Sequence, residues 1–177
     1  MQSRVQEPEF SCGIDEAGRG PVIGPMIISM VCGNSKNIKE TGAKDSKELS
    51  QNSRLKIFEK LKSDAEIILV RVIESKELDL LMEKMTINQI EEKYALELIK
   101  EAPYDIFVDS FDVNEERCSE TLSRKSGKNV ICRHKADRDY SVVSAASVVS
   151  KVKREEEMDK IRKTFEGVGS GYPSDPT

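Results

Sequence analysis

The chain has 177 residues, a formal net charge of −4, 37% hydrophobic residues and 34% charged residues. This composition is typical of a globular domain with a charged surface and excludes an intrinsically disordered chain. The length suits one domain with a sizeable core. The longest apolar run is far too short to span a bilayer, and no secretory signal pattern is present, so we expect a cytoplasmic protein without membrane contact.

The first two predicted strands flank a turn that is rich in glycine. Residues 10 to 15 and 21 to 32 are apolar and favour strands, and the sequence Gly18-Arg19-Gly20 lies between them. Strands that are this close in sequence suit antiparallel pairing. We therefore expect a hairpin with an arginine in its connection.

A helix and a third strand follow. Ser50 is predicted to cap a helix with Leu55, Phe58 and Leu61 on one face. Residues 66 to 73 are rich in β-branched side chains and are predicted as a strand.

The second half of the chain alternates helices with strands. Two helical stretches are predicted, the clearer one over residues 86 to 100, followed by a short strand within 104 to 112. A loop, a strand over 129 to 134 and a long helix from about 140 to 163 complete the chain. Helices between strands suit parallel crossovers, so the sequence predicts an α/β fold with helices packed on a mixed sheet.

The four cysteines favour free thiols. Cys12, Cys32, Cys118 and Cys132 form no Cys-x-x-Cys pair, and three of them lie in apolar, strand-like runs. We expect buried, reduced side chains in a reducing cytosol. A zinc site is disfavoured because His134 is the only histidine and the ligand spacings are wrong.

Acidic residues stand at the ends of two predicted strands. Asp15 ends the first strand and Asp109 ends the fourth, and parallel neighbouring strands would bring both to the same edge of the sheet. Glu16 follows Asp15 directly, so the two side chains converge only if the strand ends or bulges at Glu16. Asp137 precedes the long helix, where a loop can bring a further carboxylate to that edge.

Carboxylates without a histidine partner form a hard set of ligands that suits Mg²⁺ or Mn²⁺. Two such ions about 3.5–4 Å apart can activate a water and stabilise the leaving oxygen of a phosphodiester. The alternative for Asp15 and Glu16 is a solvated surface pair, and Asp109 could instead cap a helix or form a turn.

Five segments, in this order, resemble the ribonuclease HII family, most of all its archaeal members. They extend from about residue 11 to the last residue and read GIDEAGRGPVIGP, KDSKELS, FVDSFDV, HKADRDYSVVSAASVVSKVKR and GSGYPSDP. The resemblance implies a ribonuclease H-like fold, with a five-stranded mixed sheet flanked by helices. It also implies a metal-dependent endonuclease that cuts the RNA strand of RNA–DNA hybrids.

The implied reaction also includes cleavage on the 5′ side of ribonucleotides embedded in duplex DNA. Metal-activated water would attack the phosphorus and leave 3′-hydroxyl and 5′-phosphate ends. The resemblance assigns the catalytic and metal-binding roles to four acidic residues, with Mg²⁺ or Mn²⁺ as cofactor and two ions present with substrate: Asp15, Glu16, Asp109 and Asp137.

The resemblance further implies a set of substrate contacts. Gly18, Arg19 and Gly20 would recognise the ribose beside the cut, since only RNA carries a 2′-hydroxyl, and Arg19 can meet a phosphate. Tyr172 would pack on the sugar of the following deoxynucleotide.

Further contacts are open to a second interpretation. Phosphate contacts are expected from a polar segment that could otherwise be an ordinary loop, and its candidate residues are Lys44, Ser46 and Lys47. His134 could protonate the leaving group, although a structural histidine is favoured.

The chain departs from the family pattern in two places. Ser141 occupies a position where proline is common, and the sequence stops at GYPSDPT, where family members continue into another helical segment. Residues 1–177 are therefore expected to form a single catalytic domain that lacks that segment, and a contact with the replication clamp is expected to run through the missing C-terminus. The expected partners are RNA–DNA hybrids and ribonucleotide-containing duplex DNA, during DNA replication and ribonucleotide excision repair. The protein is expected to be a monomer.

Two rival functions remain open. A phosphatase with an aspartate nucleophile would need an acid–base carboxylate nearby, and Asp109 and Asp112 are spaced awkwardly for that. A non-catalytic hybrid-binding module is disfavoured because four carboxylates repel phosphate unless metal is present.

Overall fold

A mixed sheet of five strands forms the centre of the computed structural model, which describes residues 5–20, 23–43 and 48–164. The spatial order is β3-β2-β1-β4-β5. Both neighbours of β2 are antiparallel to it, whereas β4 is parallel to β1 and to β5. The predicted mixed α/β fold is thus confirmed. The strands are β1 (Phe10–Ala17), β2 (Met26–Asn34), β3 (Ile67–Ile73), β4 (Ile106–Asp109) and β5 (Val130–Arg133).

Helices cover both faces of the sheet. One face packs against α1, α2 and α7, and the other against α3, α4 and α5. Alternate strand residues enter the two cores: Ile106 and Val108 face α4, whereas Phe107 faces α7. The helices are α1 (Ser35–Glu40), α2 (Gln51–Asp64), α3 (Ser75–Met82), α4 (Ile87–Ile99), α5 (Glu115–Ser126), α6 (Ala136–Asp139) and α7 (Ser141–Thr164).

The long helix α7 lies directly on β1. A Cβ atom on Gly13 would stand 2.2 Å from the backbone carbonyl carbon of Val142, so only glycine allows this approach. The first ten residues of α7 are all buried, and all ten are valine, alanine or serine. The small residues therefore serve packing, as the sequence predicted, and they bring the helix against the strand that carries Asp15.

Two local predictions were wrong. The stretch predicted as a loop before β5 forms α5, which begins after the Asn114 cap and ends at Gly127 in the left-handed conformation. Only Cys118 and Leu122 of this helix are buried, so its apolar periodicity is weak. In α2, Leu55 is 42% exposed, and Ile57 instead joins Phe58 and Leu61 in the core.

The prediction of free thiols is also wrong, because all four cysteines are paired. Cys12 and Cys32 lie opposite each other on β1 and β2 and form one disulfide. Cys118 and Cys132 form the second, which joins α5 to β5. The first disulfide depends on the register of β1 and β2. The second depends on α5, a helix that the sequence pattern did not indicate. Within the described ranges, no helix has both the length and the apolar character needed to cross a bilayer.

Candidate active site

The carboxyl edge of the parallel strands carries the acidic residues. β1 pairs with β4 as far as Ile14 opposite Val108, and β4 ends one residue later at Asp109. Asp15 and Glu16 therefore lie beyond the last paired residue on this side of β1. β1 and β4 are parallel neighbours, which is the condition on which the expected shared edge depended, so the three carboxylates occur at the same edge of the sheet.

Asp15 and Glu16 reach this edge without a break in the strand. β1 continues in regular antiparallel pairing with β2 through Ala17, which pairs with Ile27. The expectation that the strand must end or bulge at Glu16 is wrong. The two side chains converge because β4 no longer covers this part of β1, and the backbone N–H of Glu16 donates to Oδ1 of Asp15 at 2.8 Å.

Asp137 is brought to the edge by a sharp turn after β5. Lys135 has a φ of 57°, a left-handed conformation that is uncommon for a residue other than glycine. Its backbone N–H donates to the carboxylate of Asp109, and the short helix α6 begins immediately afterwards. The hydroxyl of Ser144 donates to the carbonyl of Asp137 and ties α6 to α7.

All four predicted carboxylates line one open cavity of about 490 Å³. Basic and hydroxyl side chains complete its wall. The lining residues are Asp15, Glu16, Asp109, His134, Lys135, Asp137, Ser147 and Lys151. The cavity thus combines a concentrated acidic centre with two lysines, an arrangement suited to a phosphate group once the acidic charge is offset.

The carboxylates disfavour one another's charge. Burial, followed by the charges of Glu16 and Asp109, raises the pKa of Asp15 well above its usual value. Burial, followed by the charges of Glu16 and Asp137, raises the pKa of Asp109 to about 7. Such mutual repulsion at a buried edge marks a candidate functional site, where a bound cation would offset the repulsion.

The chemistry of this donor set fits hard divalent ions such as Mg²⁺ or Mn²⁺, because every acidic ligand is a carboxylate oxygen. Within the described part of the chain, no three acidic, histidine or cysteine side chains are drawn together as a ready-made metal cage. The carboxylates share one cavity, and ion binding would require their side chains to turn inward.

A fifth carboxylate, Glu91 of α4, was missed by the sequence interpretation. Glu91 is buried and lines a second, smaller cavity with Asp15, Glu16 and Asp109. Burial, followed by the charge of Glu16, raises its pKa to about 9, whereas Arg19 opposes this shift. A signal was present, because Glu91 lies four residues after Ile87 on the apolar stripe of the helix.

The Gly18-Arg19-Gly20 turn lies next to this edge. Gly18 and Gly20 have φ values of 89° and 88°, which favour glycine. A Cβ atom on Gly18 would lie 2.5 Å from the carbonyl oxygen of Pro25. Arg19 turns toward α4, where its guanidinium contacts Asn88 and Glu91.

Two polar residues of α7 hold the surrounding backbone. The hydroxyl of Ser150 lies 3.1 Å from the carbonyl oxygen of Asp15. The buried guanidinium of Arg154 donates to the carbonyl of Ile23 at 2.9 Å and packs beside Gly18. The helix therefore fixes both the end of β1 and the connection that follows it.

Of the other predicted site residues, the structure describes only His134. The phosphate candidates Lys44, Ser46 and Lys47 and the junction candidate Tyr172 lie outside the described residues. His134 lines the acidic cavity, but its Nε2 atom donates to the carbonyl of Val113 at 3.0 Å. This contact favours the structural interpretation of His134.

The sheet topology and its acidic edge define a hydrolase of the ribonuclease H-like class. The family model described as Ribonuclease HII matches residues 12–177. The chain belongs to the ribonuclease HII family. It is therefore a nuclease of the kind that cleaves the RNA strand of RNA–DNA hybrids, and the resemblance seen in the sequence is confirmed.

Individual relatives support this assignment. The chain is 50% identical to the ribonuclease HII of Thermoplasma volcanium over 168 residues, which cover 95% of this chain and 79% of the relative. The structure of the PCNA:RNase HII complex from Archaeoglobus fulgidus contains a chain with 39% identity and a TM-score of 0.89, covering 94% of this chain and 83% of that one. Ribonuclease H2 from Pyrococcus horikoshii gives 36% identity and a TM-score of 0.85, covering 94% and 82%.

A more distant structure, Bst-RNase HIII in complex with Mn²⁺, has 21% identity and a TM-score of 0.74, covering 89% of this chain and 56% of that one. This likeness supports the fold alone.

Proposed function

We propose that the protein is a divalent-metal-dependent endonuclease that also cuts on the 5′ side of single ribonucleotides embedded in duplex DNA. The observation that carries the proposal is the meeting of four carboxylates in one open cavity at the edge of the sheet. The glycine-arginine turn beside that cavity supplies a place where backbone can approach a ribose closely.

The proposed metal ligands are Asp15, Glu16, Asp109 and Asp137. Bound Mg²⁺ or Mn²⁺ would supply an activated water and neutralise charge on the leaving oxygen. The carboxylates would hold the ions, and Asp109 would stay oriented by the backbone N–H of Lys135. Hydrolysis in this manner would leave 3′-hydroxyl and 5′-phosphate ends.

The proposed substrate contacts surround the acidic centre. The backbone of Gly18 and Gly20 would approach the 2′-hydroxyl. Lys135 and Lys151, which line the cavity, add positive charge for the nucleic-acid backbone. Tyr172, Lys44, Ser46 and Lys47 remain proposals from the family resemblance.

A contact with the replication clamp is a further part of the proposal. The Archaeoglobus fulgidus relative is described in a complex with PCNA. A protein that meets ribonucleotides during replication or their excision would gain local concentration from such a contact.

The rival phosphatase mechanism is disfavoured by a specific contact. Both carboxylate oxygens of Asp112 accept hydrogen bonds from Arg117, at 2.7 and 2.6 Å. This pairing keeps the Asp112 carboxylate ionised and occupied, so it is poorly placed to act as an acid–base partner of Asp109.

The test is a labelled duplex that contains one ribonucleotide, incubated with the protein in Mg²⁺, in Mn²⁺ and in chelator. We expect cleavage on the 5′ side of the ribonucleotide with either metal, 3′-hydroxyl and 5′-phosphate ends, and no cleavage in chelator. Binding without cleavage in all three conditions would support the non-catalytic rival. Release of phosphate from a small phosphomonoester, with the duplex intact, would support the phosphatase.

A further inference from the structure

The N-terminal turns of α4 approach the Gly18-Arg19-Gly20 turn from across the cavity. The helix begins with a capping box, in which Thr86 accepts from the backbone N–H of Gln89 and the Gln89 side chain accepts from that of Thr86. This cap fixes the position of the first turn. Asn88 and Glu91 are three residues apart and therefore share one face of the helix.

Both residues contact the same guanidinium. Oδ1 of Asn88 accepts a hydrogen bond from Nη2 of Arg19. Oε1 of Glu91 lies 3.1 Å from Nε of Arg19. The guanidinium is thus held at two of its nitrogens from a single helix face, which limits rotation of the arginine side chain.

The burial of Glu91 is costly and needs a reason. Its side chain is 2% exposed, and among the described residues Arg19 is the only cation within ion-pair distance. Its neighbours in the small cavity include three further carboxylates. An apolar residue of similar volume commonly stabilises a core as well as or better than a buried ion pair. Stability alone therefore does not explain a glutamate at this position.

We propose that Asn88 and Glu91 are positioning residues that hold Arg19 and, through it, the Gly18–Gly20 turn in the conformation that receives the ribonucleotide. Gly18 and Gly20 have positive φ and no Cβ, so the backbone of the turn is intrinsically able to adopt other conformations. Arg154 holds the connection on the α7 side. Asn88 and Glu91, which we call the α4 clamp, hold it on the other side through Arg19. The inference rests on the proposed function, since it concerns how the same site recognises its substrate.

The test compares two substitutions at one position. Glu91→Gln keeps a polar oxygen next to Nε of Arg19 but removes the charge, whereas Glu91→Leu keeps the volume and removes both the oxygen and the charge. We expect Glu91→Leu to lower kcat/KM on the one-ribonucleotide duplex about tenfold and Glu91→Gln to stay within about threefold of the wild type. Glu92→Leu is the matched control, because Glu92 pairs with Lys125 on another face, and its kcat/KM should be unchanged.

A packing role predicts the opposite order, since leucine would be tolerated at least as well as glutamine. Arg19→Ala provides the second arm. In that background Glu91→Leu should change kcat/KM by less than twofold, because the arginine it holds is gone. Equal losses in both backgrounds, or full activity of Glu91→Leu, would overturn the clamp.

A measurement without substrate separates this proposal from the proposed function. The Nε–Hε signal of Arg19, assigned by its loss in Arg19→Ala, should shift less in Glu91→Gln than in Glu91→Leu, where it should move furthest or broaden. An unchanged signal in Glu91→Leu would refute the clamp even if the wild type cleaves. If the wild type fails to cleave while this signal responds as expected, the proposed function fails and the clamp stands as a structural contact.

Discussion

Asp109 lies at the acidic edge, where the charges of both Glu16 and Asp137 raise its pKa. Asp109→Asn removes a proposed metal ligand, so cleavage of the one-ribonucleotide duplex should fall at least about a thousandfold, as expected when several kcal/mol of charge stabilisation are lost. The fold should be retained, because the substitution also relieves repulsion between carboxylates. Initial cleavage rates and urea unfolding measure the two effects.

The matched control for Asp109→Asn is Asp105→Asn, which changes an exposed aspartate just before the other end of β4. Its cleavage rate should equal that of the wild type. Near-normal turnover in Asp109→Asn would remove this residue from the mechanism.

Substitution of Ser150 tests how α7 supports the backbone of Asp15. Its buried hydroxyl lies within hydrogen-bonding distance of the Asp15 carbonyl and of Ser29 Oγ at 2.8 Å. Ser150→Ala leaves buried polar atoms without this partner and should lower the free energy of unfolding by about 1–3 kcal/mol. Urea unfolding gives the value. Ser63→Ala, which removes an exposed hydroxyl from α2, should cost much less, and equal costs would contradict the account.

At the scale of elements, the contact between β1 and α7 depends on one missing side chain. Gly13→Ala would place a methyl group against the backbone of Val142, and overpacking of this kind costs about 1–3 kcal/mol or more. We expect a lower free energy of unfolding in urea. Because the clash involves backbone atoms, adding Val142→Ala should fail to restore stability. Wild-type stability of Gly13→Ala would show that α7 does not lie this close to β1.

The connection from β4 to α5 predicts an acid-sensitive contact. The Arg117 side chain, with help from the backbone N–H of Asn114, lowers the pKa of Asp112 to about 2. Since the folded pKa lies below the unfolded value, this contact stabilises the fold above about pH 4 and is lost as the pH falls toward 2. Asp112→Asn should lose less stability than the wild type between pH 4 and pH 2, as measured by urea unfolding. Identical pH profiles would contradict this contribution.

The sequence pattern predicted the elements that have strong local signals. The capped helix after Ser50 and the parallel pairing of the later strands follow from apolar runs and spacing. The Asp15 and Asp109 positions follow from the same runs, because each carboxylate comes at the end of an apolar strand. These features depend on local chemistry and simple topology, which a single sequence contains.

Other features required the folded chain. Glu91 is one of two consecutive glutamates, and only packing against the acidic edge distinguishes it from Glu92, which pairs with Lys125 on the helix surface. The Cys12–Cys32 disulfide depends on the exact partner of each residue in the β1–β2 ladder. Such features follow from register and tertiary contact, which residue periodicity does not specify.

At the scale of the whole molecule, both helical layers contribute to one site. α7 fixes the end of β1 through Ser150, and α4 contributes Glu91 and Asn88 from the opposite face of the sheet. The turn at Lys135, after β5, brings Asp137 of α6 to the same edge. The acidic centre is therefore a product of the entire fold, since no short segment supplies more than two of its carboxylates.

The most direct test of this account is anomalous diffraction from crystals of the protein grown with Mn²⁺. We predict manganese peaks at the acidic edge, with carboxylate oxygens of both Asp15 and Asp109 at roughly 2.0–2.6 Å, in the range of oxygen ligands to hard divalent ions. Glu16 or Asp137 should complete the coordination, and Asp109→Asn crystals should lose the peaks. Manganese bound only elsewhere, with these four carboxylates uncoordinated, would contradict the central claim.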